Sequence, residues 1–202
     1  MAGLRDRQKE MRRKAITDAA LALFEKQGFN GTTVEQIAVM AGVSAPTVFN
    51  YFGTKQQIIL DIIREMDEAT LLHTQQKLSS FNDPVEALCY IDEQGTLFTL
   101  RVLPVSLWRE VLPLMFSPGS PFCTAYQELN QRFKDEVSTL LVSLIERGLI
   151  RGETNVEVCV QAMLDISHMQ LFRLVSQDEP DLAGHRRHMR SVAEIFIQGL
   201  RN

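Results

Sequence analysis

The chain has 202 residues, 45% of them hydrophobic and 23% charged, with a net charge of −4. That is the balance of a globular protein of one or two domains, and it excludes disordered, collagen-like and disulfide-stapled classes. Three widely separated cysteines, Cys89, Cys123 and Cys159, form no disulfide or zinc-finger pattern, and the longest apolar run, Ala19 to Phe24, is far short of the roughly 18 residues of a membrane span.

The first predicted element is an amphipathic helix from about Arg7 to Gln27, with Ile16, Ala20, Leu23 and Phe24 on one face and Gly28 as its stop. Thr33-Val-Glu-Gln36 has the form of a capping box and opens a short second helix that ends at Gly42. Ser44 is a further cap, and Pro46 falls in the first turn of a third helix, Ala45 to Phe52, where its missing N–H costs nothing. Thr54-Lys-Gln-Gln57 reads as another capping box, starting a helix from Lys55 to Leu78. Beyond Asn82-Asp-Pro84 the periodicity predicts helices over 84–101, 104–116, 120–148, 155–177 and 181–201, broken at Pro104, Pro118-Gly119, Gly148 to Gly152 and Pro180. No strand pattern competes, so the expected fold class is all-α with about nine helices.

Charge is distributed unevenly. Residues 1–55 carry eight basic and five acidic residues, net +3, whereas 56–202 are net −7. The basic excess lies in Arg5, Arg7, Lys9, Arg12, Arg13 and Lys14, which gives a basic head on an acidic body. Such a head is either a solvated tail or a surface for an anionic partner.

Helix 2, turn and helix 3 have the spacing of a DNA-reading helix-turn-helix. Ala38 is small where two helices approach, Gly42 suits the turn, and Val43 and Val48 are apolar where the pair packs. In such a unit the second helix enters the major groove and neighbouring segments hold phosphates. Ser44, Ala45, Pro46, Thr47, Asn50 and Tyr51 are then the expected groove-facing set, with Pro46 suited to a thymine methyl and Asn50 to adenine. Thr33, Tyr51 and Lys55 are the expected phosphate contacts, Lys55 because it begins a helix whose N–H groups already attract anions. Arg5, Arg7, Arg12 and Arg13 are expected to reach phosphate or the adjacent minor groove, which makes binding salt-sensitive.

Residues 31–60, GTTVEQIAVMAGVSAPTVFNYFGTKQQIIL, closely resemble the signature of the TetR family of bacterial transcriptional regulators. The likeness includes the preceding helix that ends in Gly28-Phe29, the Gly42-Val43-Ser44 turn, Thr47, the cluster Phe49-Asn50-Tyr51-Phe52 and Lys55. Phe49 stands where the family usually has tyrosine and Tyr51 where histidine is common, so a phosphate-contacting hydroxyl is absent at 49. The resemblance implies a three-helix DNA-binding domain over 1–54, followed over 55–202 by a helical domain that binds an effector and dimerises. It also implies a cytoplasmic homodimer on double-stranded DNA, at a pseudo-palindromic operator, acting most often as a repressor that a small, largely apolar molecule releases.

Two features of the acidic body take their reading from that resemblance. Val160, Leu164, Ser167, Leu171 and Val175 recur at helical spacing, as do Met189, Ala193, Phe196 and Leu200. From spacing alone these seams serve internal packing and a subunit interface equally well; the resemblance implies a four-helix dimer interface. Phe98, Trp108, Met115, Phe116, Phe122, Tyr126 and Phe133, joined by Met163, His168 and Phe172, are core residues or pocket lining. The resemblance implies a ligand pocket there; Arg101 and Arg109 are read either as partners for an anionic ligand or as exposed arginines. The four histidines, His73, His168, His185 and His188, are not grouped as metal ligands, and neither a nucleophile elbow nor a Walker loop is present, so no metal, cofactor or enzymatic activity is expected. The rival expectation is an effector-independent DNA-binding protein acting as a chromosome-organising or protein–protein platform.

Overall fold

The structure is a computed structural model that describes residues 3–78 and 81–200, with side chains for all of these except 67–76. Among the described residues it holds nine helices and no strand: α1 Leu4–Gln27, α2 Val34–Ala41, α3 Ala45–Phe52, α4 Lys55–Leu78, α5 Pro84–Val102, α6 Val105–Met115, α7 Pro121–Glu146, α8 Val156–Val175 and α9 Leu182–Leu200. The all-α expectation holds, and most boundaries fall within a few residues of the predicted ones.

Local capping explains why these segments start where they do. Thr33 and Gln36 form the full reciprocal box, Thr33 Oγ1 accepting from the Gln36 N–H at 3.3 Å and Gln36 Oε1 from the Thr33 N–H at 2.9 Å. Ser44 Oγ accepts the Thr47 N–H at 3.3 Å. At α4 only half of the expected box forms. Thr54 Oγ1 accepts the Gln57 N–H at 3.1 Å, but the Gln57 side chain runs forward to Asp61 Oδ1 at 2.6 Å. α1 begins three residues before the predicted start, where the Asp6 carboxylate accepts the Gly3 N–H at 3.1 Å.

The chain divides into two compact units that do not follow the chain order. The first combines Met1–Glu65 with Val102–Ala125, so that α6 belongs with α1 to α3 and the start of α4. Its buried residues include Ile16, Phe24, Ile37, Val48, Phe52, Ile58, Ile63, Trp108 and Met115. Phe24, Phe29 and Phe122 form a chain of ring contacts with centroids 5.5 and 6.3 Å apart. α2 closes on Gly42, whose φ of 67° and ψ of 32° lie in the left-handed region that suits glycine.

The second unit comprises Met66–Arg101 and Tyr126–Asn202. Leu88 and Ile91 of α5, Val137, Leu141 and Leu144 of α7, Val160 and Met163 of α8, and Ala193 and Ile197 of α9 build its core. α5 and α9 are further joined by polar groups. His185 Nε2 lies 2.8 Å from Asp92 Oδ2 and 3.0 Å from Thr96 Oγ1, while Arg186 pairs with Glu93 and Arg190 with Glu86. Arg151 closes the last turn of α9, its Nη2 donating to the Gly199 carbonyl at 2.6 Å and its backbone N–H to that of Leu200 at 2.9 Å.

The seams expected to face a second subunit are turned largely inward. Val160, Leu164, Val175, Met189 and Ala193 are buried within the single chain, while Phe196 and Leu200 pack on its core and Ser167 and Leu171 are half-buried. A helix's most apolar face goes to its own core first. The outward apolar residues of α8 and α9 are others: Val158, Met169, Phe172 and Ile195. No helix among the described residues is long and apolar enough to cross a membrane.

The turn at Gly42 supplies a direct test. A Cβ added there meets no atom within 4 Å, so Gly42→Ala carries only the left-handed backbone cost. It is expected to lower stability by about 1–2 kcal/mol in chemical or thermal denaturation.

Candidate nucleic-acid interface

α3 is held from behind by Val48 and Phe52, which are buried, and from α2 by the Val43 N–H bonding the Ala38 carbonyl at 3.0 Å. That fixes its outer face. Pro46, Phe49 and Asn50 are exposed, and Ala45, Thr47 and Tyr51 are half-exposed beside them. The Ser44 and Thr47 hydroxyls lie 2.8 Å apart, so the cap and the expected groove-facing threonine form one unit at the helix N-terminus. Tyr51 lies against Phe52 with centroids 6.4 Å apart. The predicted set is thus gathered on one short helix, with one addition: Phe49, 49% exposed, is an apolar group on the same face. One residue beyond Val48, it falls at the flank of the buried Val48–Phe52 stripe, and that offset in the helical period is the signal that marks it.

The basic residues divide into two groups. Arg5, Arg7 and Arg12 are exposed on the first turns of α1 itself, so these three do not sit on an arm ahead of the helix. Arg13 is engaged within the chain. Its Nη2 donates to Asp61 Oδ2 at 2.8 Å and its guanidinium lies 5.0 Å from the centre of the Phe52 ring, which ties α1 to α4 behind α3. Lys55 is also engaged. Its Nζ donates to the Phe29 carbonyl at 2.7 Å and the Thr32 carbonyl at 2.9 Å, and lies over the Phe29 ring. An ammonium has three N–H donors, so one remains for an outside oxygen. Thr33 is exposed at the start of α2, its hydroxyl oxygen accepting the cap bond while its O–H can still donate.

The residues expected to line a pocket are dispersed. Trp108, Met115 and Phe122 are buried in the first unit, Phe122 against Phe29, and therefore serve the packing of the helix-turn-helix unit. Phe116 and Phe172 are exposed, Met163 is in the core of the second unit, and Phe133 packs against that core. Phe98 is half-buried and Arg101 exposed near the end of α5.

Tyr126 and His168 do come together, in the second unit. His168 Nε2 lies 2.9 Å from the Tyr126 hydroxyl and 3.0 Å from Asn130 Oδ1, and the two rings are 5.2 Å apart. A carbonyl oxygen only accepts, so His168 carries its proton on Nε2 and donates to Asn130. Burial holds the His168 pKa below its ordinary value against the opposing pull of Asp165, with Lys134 adding to the lowering, and burial raises that of Tyr126. The group is therefore neutral at pH 7. Burial likewise raises Cys89 and Cys159, keeping both as thiols. The His73 side chain lies outside the described residues.

Residues 16–62 match the family described as bacterial regulatory proteins, tetR family. The HTH-type transcriptional regulator RutR of Escherichia coli (strain K12) is 35% identical over 91 residues, which cover 45% of this chain and 41% of that protein. The chain therefore spans less than half the length of this relative in the match. Solved structures that share the fold include those of two regulators. The regulator FadR from Bacillus subtilis in complex with stearoyl-CoA has a TM-score of 0.69 at 17% identity, covering 93% of this chain and 99% of that one. FadR from Thermus thermophilus, a repressor in complex with lauroyl-CoA, has a TM-score of 0.62 at 23% identity, covering 92% and 93%.

The half-buried imidazole of His168 makes stability pH-dependent in a definite direction. The folded pKa of His168 lies below the 6.5 of the unfolded chain, so acidification below that value favours the unfolded state. His168→Gln is expected to flatten the fall in melting temperature as pH drops from neutral through this range; an unchanged slope would assign it to other groups.

Proposed function

Because the chain belongs to the TetR family of bacterial transcriptional regulators, we propose that it is a cytoplasmic, ligand-responsive repressor that binds a pseudo-palindromic operator as a homodimer. The observation that carries this reading is α3: a capped, eight-residue helix presenting Pro46, Thr47, Phe49, Asn50 and Tyr51 away from its own core. Ala45, Pro46, Thr47 and Asn50 read base edges in the major groove, and Ser44 orients Thr47. Arg5, Arg7, Arg12, Thr33, Tyr51 and the remaining Lys55 donor take phosphates, with Lys55 held in place by its two backbone bonds. The first unit, with α1 to α3 and the start of α4, supplies this reading surface, and the second unit the sensing and pairing functions.

Pairing of two copies supplies the second reading helix, one duplex turn of roughly 34–36 Å or a multiple away. Val158, Met169, Phe172 and Ile195 are the apolar residues that α8 and α9 leave outward for it, Ile195 being 72% exposed. The effector enters the second unit, with Tyr126, Asn130 and His168 offering a neutral polar anchor. Acyl-CoA is the effector class to try first, since two regulators of this fold are known as complexes with stearoyl-CoA and lauroyl-CoA. An effector that prefers one conformer by about 1–3 kcal/mol weakens DNA binding about 5- to 150-fold.

Selection of duplexes from a random pool, followed by titration of the recovered sequence, tests this function. The wild-type chain is expected to recover a two-fold-related sequence and to lose affinity for it when lauroyl-CoA is added. Thr47→Ala and Tyr51→Ala are expected to abolish the preference with folding intact. Arg12→Ala is expected to weaken all duplexes alike and to lower the salt slope by about one. Recovery of no preferred sequence would overturn the reading. A preferred sequence with no response to bound effector favours the effector-independent platform.

A further inference from the structure

The loop from Gly28 to Thr32 carries backbone N–H groups that belong to no helix, and one carboxylate outside the reading helices takes two of them. Glu110, in the middle of α6, accepts the Phe29 N–H at Oε1 and the Asn30 N–H at Oε2, each at 3.2 Å. The approach is close enough that a Cβ on Gly28 would lie 2.7 Å from Glu110 Oε1, and Gly28 itself has a φ of 77° and a ψ of 166°, a backbone region essentially confined to glycine. On either side of Glu110, Leu107, Trp108, Val111 and Leu112 are buried, so α6 is anchored while its carboxylate faces the loop.

The same loop leads directly to the reading helix. Lys55 holds the carbonyls of Phe29 and Thr32; the Thr32 hydroxyl donates to the Gly28 carbonyl at 2.8 Å; Thr33 caps α2, and α2 carries α3 through the Gly42 turn. α6 therefore has a defined grip on the entrance to the helix-turn-helix. It also has covalent continuations in the second unit at both ends, since the chain enters the first unit at Val102 and leaves it after Ala125. Tyr126, of the neutral polar cluster, is the first residue beyond that exit.

We propose that Glu110 is the positioning residue by which α6 holds the α1–α2 loop, and with it α3, in the DNA-binding pose, and that release of this clasp is how the second unit lowers DNA affinity. The inference rests on the repressor reading above and assigns its regulation to one carboxylate. It requires no motion within α3: loss of two charge-assisted hydrogen bonds frees the loop that precedes the α2 cap.

Glu110→Ala and Glu110→Gln test it, using the duplex recovered by the wild-type chain and a random-sequence duplex, well below the melting temperature of each variant. The alanine variant is expected to lose about tenfold in affinity for the recovered duplex and to change by less than about twofold on the random one. The glutamine variant, which keeps one acceptor but sets an NH2 group against the second N–H, is expected to fall between wild type and alanine and preserves the shape of α6. Amide hydrogen exchange at Phe29 and Asn30 is expected to speed up in both. A residue that only stabilises the fold would lower the melting temperature and leave both affinities unchanged, and that outcome would overturn the proposal, as would equal losses on the two duplexes. A wild-type chain with no preferred duplex overturns the repressor reading itself, an outcome separable from failure of the clasp because it is seen before any substitution is made.

Discussion

A loop inside a packed unit carries backbone donors and acceptors that need partners, and in this chain the loop that follows α1 meets that requirement with two opposite charges. Lys55 of α4 takes the carbonyls of Phe29 and Thr32 from one side, and Glu110 of α6 takes the N–H groups of Phe29 and Asn30. The Phe29 ring between them packs on Phe24 and Phe122. The placement of α2, and of the helix that follows it, depends on this loop being held. The arrangement also explains why α6, remote in sequence, belongs to the same compact unit as α1 to α3.

How much of this was legible in the sequence follows the range of the interactions. Thr33 with Gln36, Ser44 with Thr47, and Gly42 as a turn are contacts within four residues, so residue type and spacing contain them fully. The face of α3 was legible for the same reason, because Val48 and Phe52 mark its inner side. Roles that depend on distant partners were not. Arg13 meets Asp61 across 48 residues and Glu110 meets Phe29 across 81, and nothing in the local pattern distinguishes these side chains from exposed charges. The Gln57 side chain shows the limit of even a local rule: its amide N–H donates to Asp61 one turn ahead, whereas a reciprocal cap needs its oxygen turned back to accept the Thr54 N–H.

The acidic body illustrates a different limit. Periodicity finds the most apolar face of a helix, and in α8 and α9 that face is occupied by the chain's own core through Val160, Met163, Ala193 and Ile197. A second, more mixed face bears Val158, Met169 and Ile195 among polar residues, and no period isolates it. In the same way the aromatic run from Phe98 to Phe133 is continuous in sequence but is shared between the two units. Trp108, Met115 and Phe122 support the helix-turn-helix unit, while Tyr126 joins His168 and Asn130 in the second. A sensing role for the second unit therefore rests on a small neutral cluster rather than on the whole run.

The central claim is that α3 lies in the major groove and that a second copy places its own α3 on the same face of the duplex. Protection of guanine N7 from methylation on the recovered duplex reads the major groove alone and tests this most directly. The account predicts two protected patches, centred about one helical turn or a small multiple apart, each lost in the Thr47→Ala variant. Uniform protection along the duplex, or N7 positions that react as in free DNA while the chain is bound, would contradict it.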